Sequence, residues 1–265
     1  MTAVGDDHDD LHAERRGHGP RVVLVHGFTQ SHRSWAEIAD LLVGDHEVVL
    51  PDLPGHGPSP LPSAAGDATG LERAGAALGR AGGSATYVGY SLGGRCCLHL
   101  ALSSPELVDR LVVVGAHPGI EDEEERHRRW ATDAALADRI EAGGDGGLAA
   151  FLDEWLSGPL FAGLGESEAD RPSRLVNTAA GLASSLRATG TGSQLPLWER
   201  LGQLQMPVLV VAGELDDKFL AIAERTSEAI GPNARVIVVA GAGHAAPFEQ
   251  PDAFAALVRD FVAGD

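Results

Sequence analysis

Tyr87-Val88-Gly89-Tyr90-Ser91-Leu92-Gly93-Gly94-Arg95 decides the fold of this chain. An apolar run ends at Val88, glycines permit an abrupt reversal, and a helix-compatible stretch begins at Leu92. Ser91 therefore stands on a strand-to-helix turn with its hydroxyl exposed, the arrangement called a nucleophile elbow. The Leu92 amide and the start of the helix face the same side and favour negative charge there. A plain turn is the alternative, and the flanking strand and helix argue against it.

Apolar runs at 22–25, 48–50, 87–88, 111–114, 208–212 and 236–239 alternate with helix-compatible stretches at 34–42, 92–102, 218–230 and 252–262. Strands that are apolar on both sides belong to a parallel sheet whose crossover helices cover both faces. The fold class is thus α/β, a mostly parallel central sheet flanked by helices. Between 119 and 205 the strand rhythm stops, and helical segments are expected at 121–140, 148–155, 174–186 and 195–204. We read 119–205 as an inserted helical cap and 11–118 with 206–265 as the core. Glycines at 143, 144, 146 and 147 are expected to separate cap helices, and Trp130, Ala134, Ala137 and Ile140 to face the cap's support. Residues 1–10 are polar, acidic and expected to be mobile, and 11–14 to form a short edge strand.

Lys and Arg number 20 against 38 Asp and Glu, a net charge of −18. That field repels nucleic acid and acidic membrane surfaces while leaving room for a local basic pocket. The first residues form no positive leader with an apolar core, and no apolar run approaches the roughly 20 residues of a membrane span. The two cysteines, Cys96 and Cys97, are adjacent and form no disulfide framework. A cytoplasmic, reducing setting is expected, with no membrane or nucleic-acid partner, and the oligomeric state is left open.

Asp216 follows the 208–212 strand and His244 the 236–239 strand, giving a Ser, Asp, His order with each residue at a loop-bearing strand end. His244 can take the Ser91 proton if Asp216 fixes its other ring nitrogen, with Asp217 the neighbouring competitor for that acid role. His26-Gly27-Phe28 follows the first buried strand, so the Phe28 amide can join the Leu92 amide in an oxyanion hole.

These pieces resemble the α/β-hydrolase superfamily along most of the chain. Longer stretches resemble its 2-succinyl-6-hydroxy-2,4-cyclohexadiene-1-carboxylate synthases: Asp52-Leu53-Pro54-Gly55-His56-Gly57, the elbow through Arg95, His117-Pro118-Gly119-Ile120, Pro159-Leu160-Phe161 and Gly213-Glu214-Leu215-Asp216-Asp217-Lys218-Phe219. The resemblance implies a pyruvate-eliminating lyase of menaquinone biosynthesis in which the serine acts as a base, assisted by His and Asp, without an obligatory acyl-enzyme. It implies a carboxylate-rich small-molecule substrate, with Arg95, Arg129 and Lys218 as anchors, Tyr90 as a hydroxyl donor near Ser91, and Trp155 as a cover. Pro247 departs from the family, which often has a second histidine there.

The same residue set also serves a carboxylic-ester or carbon–carbon-bond hydrolase, and the fold alone serves a non-enzymatic binding protein. His8, His12 and His18 are too loosely spaced for a pre-organised metal site. The glycines at 89–94 have neither the Gly-Lys-Ser/Thr phosphate loop nor a dinucleotide-binding order. No cofactor and no metal is expected.

Overall fold

The computed structural model describes residues 10–62, 69–164 and 170–264. Seven strands, β1 (Ala13–Gly17), β2 (Arg21–Val25), β3 (Glu47–Pro51), β4 (Ala85–Tyr90), β5 (Val108–Val114), β6 (Val208–Gly213) and β7 (Ala234–Val239), form one sheet in the order β1-β3-β2-β4-β5-β6-β7. Only β1 runs antiparallel to its neighbour. The strand order reverses between β2, whose successor lies on one side, and β4, which lies on the other. In parallel sheets the crevice at such a switch point receives the ligand, and here it opens between Phe28 and Ser91.

Successive side chains of the inner strands enter opposite cores. Val23 and Val25 pack with Leu78, Cys96, Leu100 and Ile230, whereas Val22 and Leu24 pack with Trp35, Ile38, Phe254 and Val258. Helices α1 (Ala36–Leu42), α2 (Gly70–Gly82) and α3 (Leu92–Ser103) accompany the first half of the sheet. Between β5 and β6 come α4 (Glu123–Leu156), α5 (Asp170–Arg174) and α6 (Ala179–Thr189), whose Ala137, Ile140, Leu152 and Leu182 make an apolar cluster of their own. Helices α7 (Asp217–Ile230), α8 (Ala246–Glu249) and α9 (Pro251–Ala263) complete the chain.

Several expectations need correction. The edge strand runs Ala13–Gly17 rather than over 11–14, and its charged residues pair outward, Arg15 with Glu47 at 3.1 Å and Arg16 with Asp40 at 3.0 Å. Helix α2 was not anticipated, because its four glycines weaken helix propensity. Packing explains them: a β-carbon on Gly75 would stand 2.9 Å from the Leu100 amide nitrogen of α3. Thr69 and Glu72 close a capping box at its start. Helix α4 continues through 143–147 with a single kink at Gly144, φ 58°. Residues 174–186 are broken between α5 and α6, where Thr178 caps the second helix, and within 195–204 only a 3-10 turn at Trp198–Gln203 forms.

Trp130 is 48% exposed rather than turned towards a support. Asp133 takes the inward position beside Ala137 and Ile140, accepting the Gly192 amide at 3.1 Å. The expectation for residues 1–10 falls outside the described residues except at Asp10. His12, dismissed above as a loose histidine, shares the carboxylate of Asp52 with His32, each Nδ1 lying 2.8 Å from Asp52 Oδ2. This clasp ties the start of the edge strand to the end of β3. No helix among the described residues is long and apolar enough to cross a membrane.

Candidate active site

Ser91 follows β4 and stands at the N-cap of α3 with φ 52° and ψ −110°. Among the described non-glycine residues only Thr29 shares such a left-handed backbone, a conformation that costs of order 1–3 kcal/mol and persists where surrounding contacts impose it. Here the imposition is packing: a β-carbon on Gly89 would stand 2.6 Å from the Gly93 carbonyl carbon. The Ser91 amide donates to the Val114 carbonyl at 2.8 Å, fixing the turn against β5.

Asp216 caps α7, its Oδ1 accepting the Phe219 amide at 3.2 Å, and its Oδ2 lies 2.8 Å from His244 Nδ1. Burial alone would raise the Asp216 pKa. The His244 hydrogen bond, the Phe219 amide and the nearby charges of His244 and Lys218 outweigh it and hold the carboxylate below its usual range. His244 and Ser91 line the same cavity, of about 260 Å³. Among the described residues no hydrogen bond joins them, so the Asp-His half of the array is the part already closed. Asp217, the competitor, is exposed and makes no hydrogen bond to His244.

The turn after β2 supplies the opposite wall. Gly27 donates to Gln30 Oε1 at 2.9 Å, and the left-handed Thr29 follows Phe28. Leu92 is the first residue of α3, so its amide is among those a helix leaves without an internal acceptor. Phe28 and Leu92 both border the cavity. Residues at and just after the end of α5 grip this turn directly: Arg174 donates to the Thr29 hydroxyl, and Asn177 donates to the Thr29 carbonyl at 2.8 Å.

Every expected substrate residue, Tyr90, Arg95, Arg129, Trp155 and Lys218, borders the cavity, and so does a fourth cation that sequence reasoning missed, Arg174. No local motif marks Arg174, and only the fold brings it to the cavity that holds Ser91. Arg95 and Arg174 are 8% and 1% exposed. Burial pulls the Arg95 guanidinium down to about 10, which leaves it charged at neutral pH, and it donates to Gln194 Oε1 at 3.2 Å. Arg129 is half-exposed and pairs with Asp133 at 2.7 Å. Trp155 stands edge to face with Phe28, 5.5 Å between centroids, and its buried indole N–H has no acceptor among the described residues. A wider apolar hollow of about 600 Å³ shares Trp155, Leu160 and Phe161 with this cavity. Pro247 is buried in α8 and is not part of the cavity wall.

The model of the alpha/beta hydrolase fold matches residues 20–251. The chain belongs to the α/β-hydrolase family. Within this family it is 35% identical over 246 residues to the 2-succinyl-6-hydroxy-2,4-cyclohexadiene-1-carboxylate synthase of Enterobacter sp. (strain 638), covering 92% of each chain. A Bacillus subtilis (strain 168) protein provisionally given the same name is 36% identical, with 91% of this chain and 89% of that protein covered. Among solved α/β-hydrolase structures, MenH from S. aureus superposes with a TM-score of 0.86 at 28% identity, covering 95% of this chain and 98% of that one.

Proposed function

We propose that the chain is a 2-succinyl-6-hydroxy-2,4-cyclohexadiene-1-carboxylate synthase, a carbon–oxygen lyase of menaquinone biosynthesis. It converts 2-succinyl-5-enolpyruvyl-6-hydroxy-3-cyclohexene-1-carboxylate to its product with release of pyruvate. The observation that carries this reading is the convergence of Arg95, Arg129, Arg174 and Lys218 on the cavity that holds Ser91 and His244, in a chain of net charge −18. A multiply anionic substrate gives that local reversal of sign a purpose, and buried arginines bind carboxylates through a rigid two-pronged fork. The relatives' names favour this lyase over the hydrolase alternative.

In this reading Ser91 Oγ removes a ring proton of the substrate as its own hydroxyl proton passes to His244 Nε2. Asp216 holds Nδ1 and balances the imidazolium. The electrons left by the C–H bond form an enolate whose oxygen accepts from the Phe28 and Leu92 amides, then move on to expel the enolpyruvyl oxygen. Carbon–oxygen cleavage yields the diene, and the proton on His244 returns to the departing enolpyruvate, which becomes pyruvate. The open Ser91–His244 contact closes in the substrate complex, as catalytic hydrogen bonds of unliganded enzymes commonly do. Residues 119–205 act as a cap on the 11–118 and 206–265 core, and the setting is cytoplasmic.

Purified protein incubated with the substrate should release one pyruvate per diene, measured by lactate dehydrogenase coupling and by diene absorbance. Ser91→Ala should abolish both while circular dichroism stays unchanged. Equal turnover by the two proteins, or a Ser91 acyl adduct formed during turnover, would overturn the reading.

A further inference from the structure

Among the cavity groups outside this scheme, His117 is held most closely. His117 follows β5 on the wall that also carries Lys218 and Arg95. Its Nδ1 accepts the Gly119 amide at 2.9 Å. An amide N–H can only donate, so Nδ1 must present its lone pair and the ring proton resides on Nε2. Among the described residues nothing accepts from that Nε2–H.

The ring is held rigidly. Trp198 meets it edge to face at 5.9 Å and donates its indole N–H to the Gly119 carbonyl at 2.8 Å. The Leu197 amide bonds the Pro118 carbonyl at 2.8 Å. Arg225 lies over the Trp198 ring, 3.9 Å from its centroid, and is itself paired with Glu121 at 2.6 Å. These contacts hold the turn in place, and the Gly119 amide fixes the tautomer that leaves Nε2–H as the remaining donor.

Burial, with the positive charges of Lys218, Arg95 and Arg225, draws the His117 pKa down to about 4. Near neutral pH the imidazole is uncharged. It offers a hydrogen bond without adding a charge that would repel the neighbouring cations, a use of neutral imidazole with precedent in enzyme sites.

We propose that His117 is a substrate-binding residue whose Nε2–H donates to a carboxylate or carbonyl oxygen on the substrate face turned towards Lys218 and Arg95. The proposal rests on the synthase reading for the identity of the ligand, and on geometry alone for the donor.

Nitrogen-15 NMR of the whole protein tests the donor without turnover. The His117 ring should show the Nε2–H pattern unchanged from pH 8 to pH 5, and its Nε2 resonance should move when the cyclohexadiene product is added. An Nδ1–H pattern, titration in that range or an unmoved resonance would overturn the proposal. In kinetics, His117→Leu should raise KM by about tenfold or more, with kcat within about threefold. His117→Gln, which carries an N–H near the same place, should recover most of the loss. Wild-type turnover with an unchanged KM in His117→Leu defeats the role of His117, whereas a wild-type protein without pyruvate release defeats the synthase reading instead.

Discussion

Asp216 reaches His244 across 2.8 Å with one carboxylate oxygen and starts α7 with the other. The two duties separate by substitution. Asp216→Asn keeps an oxygen to cap the helix but loses the negative charge that steadies the imidazolium, so kcat should fall by roughly 10²–10⁴ with a thermal midpoint close to that of the unsubstituted protein. Steady-state pyruvate release and calorimetry on the same preparation read the two effects. A large drop in midpoint would show that the carboxylate charge matters chiefly to the fold.

The cationic wall makes a second expectation. Arg95→Met removes a buried fork and should raise KM by roughly 10- to 100-fold, the range of a charge-assisted hydrogen bond or two. Arg95→Lys should recover only part, because an ammonium cannot reproduce two parallel bonds. The Arg129 substitutions should be milder, since that side chain is half-exposed and already engaged by Asp133. Saturation curves for the four variants rank them.

Two glycines should respond in opposite directions. Gly75→Ala drives a methyl group against the Leu100 backbone and should destabilise by about 1–3 kcal/mol. Gly147→Ala, in the open second half of α4 where a β-carbon meets nothing within 4 Å, should stabilise by roughly 0.5–1 kcal/mol. Urea unfolding of both tests whether glycine serves contact in one helix and nothing comparable in the other.

Acid should unfold the protein early. Burial lowers the pKa of His26 and of His56, and burial with nearby arginines brings His99 down to about 4 from 6.5. A histidine whose folded pKa is depressed binds its proton first in the unfolded chain, so stability is complete above about 6.5 and declines as the pH falls towards about 4. His99 alone accounts for about 3 kcal/mol at most over that interval. Thermal midpoints measured from pH 7 to pH 4.5 should fall steadily, and His99→Gln should flatten the decline.

Six of the seven strands could be read from sequence, the inner ones because burial on both faces leaves nearly continuous apolar runs and the edge strand β7 from its apolar run at 236–239, although Val238 is 45% exposed. The order Ser91, Asp216, His244 was legible because each follows such a run. Helix α2 was hidden by glycines that its contact with α3 requires, and Trp130 was misjudged because the buried Asp133 replaces an apolar residue on that face. Arg174 and the His12–His32–Asp52 clasp join segments far apart in the chain, so no local spacing reveals them.

The hold of Arg174 and Asn177 on the Thr29 turn has an evolutionary corollary. The turn that carries Phe28 is braced from the segment that also brings Arg174 to the cavity. On the proposed function, exchanging that segment wholesale to change what the enzyme accepts should also loosen the Thr29 turn, so new specificities should arise by point changes along it.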